Sequence, residues 1–194
     1  MVMINLSRTF FNKKQVIKMN IFFLSMNPEE LAYMYCDQHV IKILLEICQM
    51  MYTAWFYSGQ TEYVESNAPY TVNGARRGYK AAHKKHPTTL WISSSIDNYN
   101  FAGEIGMCLA LEYKKRFGKV HACSKHILWL YENKPSHFEL RESETAYYPI
   151  HDFKHGLTRI PACMPDKYKV PSIIESYKLY YTGEKESFAR YTRV

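Results

Sequence analysis

The feature that most constrains this chain is an apolar stretch from residue 36 to residue 53 that carries a single line of polar side chains. These polar residues recur at steps of three and four, so on a helix they stack along one face. We call them the polar seam: His39, Lys42, Glu46, Gln49 and Thr53. A surface helix gives about half of its circumference to water, whereas this stretch offers only a narrow strip. The pattern predicts a largely buried helix whose seam is either a thin solvent face or the wall of an active site.

Local start and stop signals predict that the rest of the chain is also mainly α. Asn27, Pro28 and two following acids are typical of a helix start, and this helix is expected to end near Phe56, with a bend before Cys36. The other predicted elements are a loop over residues 58–74, a basic helix over 75–85 stopped by Pro87, a second long helix from residue 95 or 97 to Phe117 ended by Gly118, a short helix over 124–131, a Pro-rich irregular region over 132–170, and helical pieces over 171–181 and 184–191.

Length and composition indicate how these elements are assembled. The chain has 194 residues, of which 47% are hydrophobic, which is enough to build a core. We expect a single-domain bundle around the two long helices, formed by residues 19–194 and completed by the C-terminal helical segments. Residues 1–18 are expected to be an N-terminal extension outside this fold. The apolar run at residues 21–24 is expected to be a buried strand or an extended segment packed against the helices.

Charge and cysteine content narrow the class of partner. The formal net charge is +7, which favours a polyanion, DNA or a nucleotide, through phosphate neutralisation. The five cysteines are odd in number and irregularly spaced, so they predict no disulfide framework and no structural zinc site. They fit a reducing intracellular compartment. No apolar run reaches the roughly 20 residues of a membrane span. We expect no membrane partner, no metal and no cofactor.

Within the polar seam, Lys42 and Glu46 are one helical turn apart and can reach each other. They are either an ordinary surface ion pair or a catalytic pair. In a catalytic pair, a partly desolvated lysine forms an imine while the carboxylate transfers protons or stabilises positive charge. His39 is then a candidate for orienting Glu46 or binding substrate, and Gln49 for hydrogen bonding to a base edge. The alternative roles are a structural histidine and a capping glutamine.

Outside the polar seam, two groups of residues are candidates for holding a substrate. Cations that can contact phosphates form two patches. The first patch is Arg76, Arg77, Lys80, Lys84 and Lys85. The second patch, near the end of the second long helix, is Lys119 and His121. Candidate substrate-binding residues flank or lie on the second long helix: His86, Trp91, Asn98, Tyr99, Glu112 and Arg116. Solvated helix faces and an ordinary Glu112–Arg116 ion pair are the alternatives.

The seam and these flanking residues together resemble an uncharacterised protein family of large phages and giant DNA viruses. The resemblance covers nearly everything after Met19 and implies a viral protein that acts inside the infected host cell, in the cytoplasm or a virus factory. It is carried by Cys36-Asp37-Gln38-His39-Val40-x-Lys42, Glu46, Gln49, His86-Pro87, Trp91, Asn98-Tyr99, Glu112-Tyr113, Arg116, Lys119-x-His121, Met164-Pro165-Asp166 and Ser176-Tyr177-x-x-Tyr180-Tyr181.

A shorter motif adds a mechanistic resemblance. Asp37-Gln38-His39 followed by Glu46 is similar to the first long helix of the phage pyrimidine-dimer DNA glycosylases of the endonuclease V type. This resemblance implies a small, basic, helical repair enzyme that flips a damaged base, with Glu46 stabilising the developing sugar cation and the imine. Those enzymes attack with an amino-terminal amine. Lys42 as the amine of this chain is our own inference.

The sequence therefore leads to one preferred function and two alternatives. The preferred function is a viral DNA-processing enzyme, most concretely a DNA N-glycosylase with associated abasic-site lyase activity on damaged or modified pyrimidines. The first alternative is a nucleotide- or nucleoside-modifying enzyme that acts on a small phosphate ester. The second is a non-catalytic viral assembly or host-factor binding protein that uses the polar seam as a packing interface.

Overall fold

The computed structural model describes residues 20–141 and 156–193, and in these ranges the chain is mainly helical. The mainly α fold class predicted from the sequence is confirmed. The only β-structure in the described ranges is an isolated β-bridge between Tyr70 and Arg77. The expected extension over residues 1–18 lies outside the described residues, so the division at residue 19 stays a prediction. The α-helices are α1 Pro28–Met34, α2 Asp37–Tyr57, α3 Thr61–Asn67, α4 Pro87–Ile92, α5 Ile96–Phe117, α6 Ser124–Glu132 and α7 Ile173–Lys185, with 3₁₀-helices at Asp166–Tyr168 and Glu186–Phe188.

The two long helices predicted from the sequence, α2 and α5, pack against each other and form the centre of the fold. Helix α2 is buried on most of its circumference, as its apolar composition predicts. Helix α5 begins behind Ser95, whose side chain accepts from the Asn98 N–H, and ends at Gly118 with a φ of 65°. Both ends match the sequence prediction because they depend on local capping residues.

The expected helix from Pro28 to Phe56 is divided in two. Tyr35 and Cys36 adopt extended backbone between α1 and α2, at the place where the sequence suggested a bend. The break is stabilised from another helix, because Arg116 of α5 donates to the carbonyl oxygens of Tyr35 at 2.7 Å and Tyr33 at 2.9 Å. The carbonyls at the end of α1 thus bond to a guanidinium instead of to a further helical turn.

The prediction of a basic helix over residues 75–85 is wrong. The chain here is irregular, and Gly78 and His83 adopt left-handed backbone with φ of 64° and 54°. At Gly78 a β-carbon would lie 2.5 Å from Val64 Cγ1, so close packing also requires glycine. Pro87 begins a helix, α4, instead of stopping one, because proline at the first helical position needs no N–H partner.

Two further elements differ from the sequence prediction. The expected loop over residues 58–74 contains α3. The two expected C-terminal helices are one longer helix, α7, followed by a single 3₁₀ turn. The region over residues 132–170 is irregular where it is described, apart from Glu132, which ends α6, and the 3₁₀-helix Asp166–Tyr168.

Two terminal segments close the structure around the start of α2. Residues 21–24 are buried without forming helix or strand, and Phe22 and Phe23 pack against Tyr177 of α7. Of the two expectations for this run, packing against the helices is the one observed. At the other terminus, Arg190 accepts a hydrogen bond from the Asp37 N–H at 2.8 Å, and the Asp37 carboxylate accepts from the N–H and hydroxyl of Thr192. No helix in the described ranges is both long enough and apolar enough to cross a membrane.

Candidate active site on helix α2

Lys42 and Glu46 form an ion pair in which the two partners differ sharply in exposure. Lys42 Nζ lies 3.2 Å from Glu46 Oε1, with the lysine side chain 36% exposed and the glutamate side chain 9% exposed. The other carboxylate oxygen, Oε2, accepts from the backbone N–H of Asn20 at 3.3 Å. The glutamate is therefore held inside the protein while its lysine partner reaches solvent, which is unlike a thin solvent-facing strip.

Burial is the main influence on Glu46. It raises the pKa of the carboxyl above its usual range, although the charge of Lys42 and the hydrogen bonds from Lys42 and Asn20 lower it in part. A carboxyl group with a raised pKa exchanges protons more readily near neutral pH than an exposed one. Glu46 is thus suited to take a proton from the adjacent amine and to return one.

Asn20 is a component of this site that sequence reasoning missed. It is 4% exposed, and its side-chain amide donates to the carbonyl oxygen of Cys163 at 2.8 Å. Its side-chain oxygen makes no hydrogen bond with any residue in the ranges that the structure describes. A buried acceptor without a partner is costly, and here it belongs to the residue that also binds Glu46. The only signal in the sequence is a polar residue directly before the apolar run at residues 21–24.

His39 is buried among aromatic rings at the first turn of α2. Its Nδ1 lies 2.7 Å from Tyr181 Oη and 3.3 Å from Cys36 Sγ, and its ring centroid is 5.0 Å from that of Phe22. Burial, together with the positive charges of Lys185 and Lys42, lowers the pKa of His39 to about 4. His39 is therefore a neutral imidazole at physiological pH, fixed in place by a tyrosine from the other end of the chain.

Lys185, at the end of α7, adds a second amine to this region. Its Nζ lies 5.4 Å from the ring centroid of Tyr180 and 6.0 Å from that of Phe22. Burial lowers the pKa of Lys185, and the charge of Lys42 lowers it further, against the opposing effect of Glu184. The sequence placed this residue in a C-terminal helical piece but gave no reason to connect it with Lys42, which is more than 140 residues away.

Further along the polar seam, Gln49 is half-buried and Thr53 is fully buried. Thr53 Oγ1 accepts from the Ala82 N–H at 3.0 Å and lies 2.9 Å from the Ala82 carbonyl oxygen, to which it donates. This two-way contact fastens residues 76–86, which we call the basic segment, to the seam. Thr53 is seven residues beyond Glu46, or about 10 Å along the helix axis. The predicted catalytic pair and the first predicted phosphate-binding patch therefore share one face of α2.

Within the basic segment, the cations fall into two groups. Arg76 lies 3.5 Å from Glu65, and Arg77 donates to the Ala68 carbonyl oxygen at 2.9 Å, so the arginines hold the segment in place. The lysines, in contrast, are exposed and form no ion pair with any residue that the structure describes; they are Lys80, Lys84 and Lys85. Lys84 Nζ lies 3.6 Å from the ring centroid of Phe56, which is itself 40% exposed.

Several predicted substrate-binding residues hold the structure together. Trp91 donates to the Thr158 carbonyl oxygen at 3.1 Å, and the fully buried Asn98 binds both Trp91 and Thr158. Tyr99 is fully buried and accepts from the Trp55 indole N–H at 3.0 Å. These contacts join α2, α4, α5 and residue 158, and no described contact places any of them beside Glu46.

His86 also has a structural contact, since it caps α4 by accepting from the Thr88 N–H at 3.2 Å. Arg116 and Glu112 are paired at 2.6 Å, as the sequence suggested. Arg116 makes five hydrogen bonds, with Glu112, Asp37 and the carbonyl oxygens of three α1–α2 residues, which matches its number of N–H donors. It has no donor left for a substrate, so Arg116 is not part of the proposed site.

The second predicted phosphate patch is less uniform than the first. Lys119 is exposed directly after the left-handed Gly118. His121 is half-buried, accepts from the Cys123 N–H at 3.1 Å, and packs edge-on against Tyr113. Lys119 is thus available to solvent, while one ring nitrogen of His121 is used within the protein.

Among the described residues, no three histidine, cysteine, aspartate or glutamate side chains converge as metal ligands would. Comparison of the chain with family models, with curated proteins and with solved structures gives no match. The resemblances to the phage and giant-virus family and to the pyrimidine-dimer glycosylases therefore stay predictions, and the function has to be argued from the site itself.

Proposed function

We propose that this protein is a DNA-processing enzyme, most concretely a DNA N-glycosylase with associated abasic-site lyase activity. The observation that carries the proposal is the 3.2 Å contact between the solvent-reaching amine of Lys42 and the buried carboxylate of Glu46. Imine chemistry needs a neutral amine and a nearby group that transfers protons. Lys42 is the proposed amine, and Glu46 is the proposed proton-transfer group beside it.

In the proposed mechanism, Glu46 first takes a proton from the Lys42 ammonium. The neutral amine then adds to C1′ of a flipped nucleotide as the C1′–N bond to the base breaks, and the base leaves with the proton that Glu46 has taken from Lys42. Opening of the sugar ring gives an imine between Lys42 Nζ and C1′. Removal of a C2′ proton then expels the 3′ phosphate, and water hydrolyses the imine to release the amine.

The surroundings of the pair also support a polyanionic substrate. Lys42 and Lys185 place two positive charges near His39, where both lower the pKa of the imidazole. The basic segment carries exposed lysines on the same face of α2 and is fastened there through Thr53 and Ala82. The attachment point at Thr53 lies about 10 Å along the helix axis from Glu46, and exposed lysines are side chains that contact backbone phosphates.

The test is borohydride trapping on ultraviolet-irradiated duplex DNA and on duplex DNA with one abasic site. We expect the wild-type protein to give a covalent adduct, Lys42→Ala to lose it, and Glu46→Gln to form it at least 100-fold more slowly, in keeping with the loss of a proton-transfer group (roughly 10²-fold or more). Lys125→Ala, on the exposed face of α6, is the matched control and should trap normally.

Each other outcome has a definite meaning. An adduct that persists in Lys42→Ala would exclude Lys42 as the amine, and a peptide map of the adduct would identify the amine used instead. Failure of the wild type to form an adduct with either substrate would overturn the lyase activity. Equal activity of Glu46→Gln and wild type would overturn the proposed role of the carboxylate.

A further inference from the structure

A second cluster of nucleophilic and polar side chains lies outside the candidate active site, where α2 and the start of α6 meet the basic segment. The Cys48 thiol, on α2, donates to the Cys123 carbonyl oxygen at 3.7 Å. Tyr79, in the basic segment, places its hydroxyl 3.5 Å from Cys123 Sγ. The Cys123 N–H donates to His121 Nδ1 at 3.1 Å. Two thiols, a phenol and an imidazole are therefore gathered around the residue that precedes α6.

We propose that Cys123 is a reactive thiol that a hydroperoxide oxidises, and that Cys48 converts the product into a Cys48–Cys123 disulfide. The proposal is independent of the proposed function, because none of these residues takes part in the chemistry at Glu46. It joins two thiols on different elements, since the Cys48 sulfur lies 3.7 Å from the backbone carbonyl oxygen of Cys123.

The two thiols are matched to different roles. Hydrogen bonding from Cys48 lowers the pKa of the Cys123 thiol, and hydrogen bonds from His121 and Tyr79 lower it further, against the opposing effect of burial. Burial raises the pKa of Cys48. Cys123 thus carries the thiolate, which is the nucleophile, and Cys48 keeps the proton that is needed in the second step.

Small oxidants have a short path to this sulfur. Cys123 is 1% exposed, but its two polar neighbours, Tyr79 and His121, are both half-buried, and Ala122 beside it is exposed. The sulfur therefore lies one side chain below the surface. In contrast, Cys108 and Cys163 are half-buried but burial raises the pKa of each thiol, so their thiolate forms are disfavoured.

One molecule of peroxide is the only oxidant that formation of the Cys48–Cys123 disulfide requires. The Cys123 thiolate attacks one peroxide oxygen, the O–O bond breaks, and hydroxide leaves, which gives a sulfenic acid on Cys123. The Cys48 sulfur then attacks the Cys123 sulfur and forms the S–S bond. Hydroxide leaves from Cys123 and combines with the Cys48 proton as water. The two sulfurs have together lost two electrons, and the peroxide has gained them.

Disulfide formation also removes a partner from the basic segment. Tyr79 loses the thiolate that accepts its hydrogen bond, so the link between this segment and Cys123 weakens. The oxidation state of the pair is thereby connected to the position of the neighbouring Lys80.

The experiment uses the native wild-type protein, treated with equimolar hydrogen peroxide, then unfolded in urea that contains N-ethylmaleimide, and then digested without reduction for mass spectrometry. We expect linked peptides that contain Cys48 and Cys123, with the other cysteines labelled by maleimide. In Cys48→Ser, dimedone should label Cys123 as the trapped sulfenic acid. The matched control, Cys108→Ser, should form the disulfide as the wild type does.

Two results would overturn the proposal. One is maleimide labelling of Cys123 to the same extent as Cys108 after peroxide treatment of the wild type. The other is linkage that appears only when the protein is first unfolded in urea. Both tests use the wild-type protein, so they stand even where a cysteine variant fails to fold.

Discussion

The buried carboxylate of Glu46 accepts a hydrogen bond from the half-exposed amine of Lys42. Burial disfavours the charged carboxylate, while the amine 3.2 Å away favours it. The spacing of Lys42 and Glu46 was visible in the sequence, because residues four apart on a helix are neighbours. Asn20, Tyr181 and Lys185 were not, because they reach the same region only through folding. Local spacing thus predicts the pair but not its environment.

The neutral state of His39 gives a prediction for stability. Its pKa is about 4 in the folded protein, against 6.5 when unperturbed, so the unfolded chain binds more protons between these values. The stability that the folded protein gains from neutral His39 is therefore complete above pH 6.5 and is lost as the pH falls through about 4. At about 1.4 kcal/mol per pKa unit, the loss is at most about 3.5 kcal/mol.

The measurement is the free energy of urea unfolding between pH 7 and pH 4. We expect His39→Gln to show a shallower fall than the wild type over this window. His137→Gln, at an exposed position, is the control and should follow the wild-type profile. A His39→Gln profile as steep as that of the wild type would show that another group is responsible.

At the level of elements, the join between α1 and α2 depends on α5. Arg116 is buried and bridges the Glu112 and Asp37 carboxylates and the carbonyls that end α1. Sequence reasoning found the ends of α5, which are set by Ser95 and Gly118 nearby. It did not find the complete break after Met34, because the group that stabilises it lies about 80 residues further on. It also missed α4, because Pro87 was taken as a stop when it is a first-turn residue.

Arg116→Met should therefore be strongly destabilising. The change leaves two carboxylates and the α1 carbonyls without their donor, and breaking such a buried pair costs about 3–5 kcal/mol. Lys115→Met, on the exposed side of the same helix, should change stability by no more than about 0.5 kcal/mol. Urea unfolding monitored by circular dichroism measures both, and equal stability of the two variants would contradict the structural role given to Arg116.

For the whole molecule, the placement of charge matters more than its total. The net charge of +7 was evident from composition, but composition could not say which cations share a face. The structure puts three exposed lysines on a segment fastened to α2, and it uses the neighbouring arginines for support. The sequence predicted the patch correctly as a group of cations but wrongly as a helix, since the left-handed turns at Gly78 and His83 exclude one.

If the basic segment binds DNA phosphates, its lysines set the salt dependence of binding. The triple change of Lys80, Lys84 and Lys85 to alanine should lower the slope of log K against log salt by about 3, at about 0.9 per phosphate contact. The slope is measured by fluorescence anisotropy with a labelled duplex, at salt concentrations from about 50 to about 200 mM.

The control removes the same charge elsewhere, by changing Lys125, Lys134 and Lys178 to alanine. These lysines are exposed and lie on or beside α6 and α7. The control should keep most of the slope. An equal loss of slope in both triple variants would show that net charge, and not the basic segment, governs binding.

The bonds between Asp37 and the C-terminal residues have a consequence for synthesis of the protein. The first N–H of α2 and the Asp37 carboxylate are bound by Arg190 and by Thr192, which is 155 positions later in the chain. Chains are made from the N-terminus at about 5–20 residues per second, so Asp37 leaves the ribosome about 8–30 s before Thr192 does. The helix that carries the candidate catalytic pair therefore lacks these bonds at its start until residues 190–192 have been made, so the assembled site forms later than the helix itself.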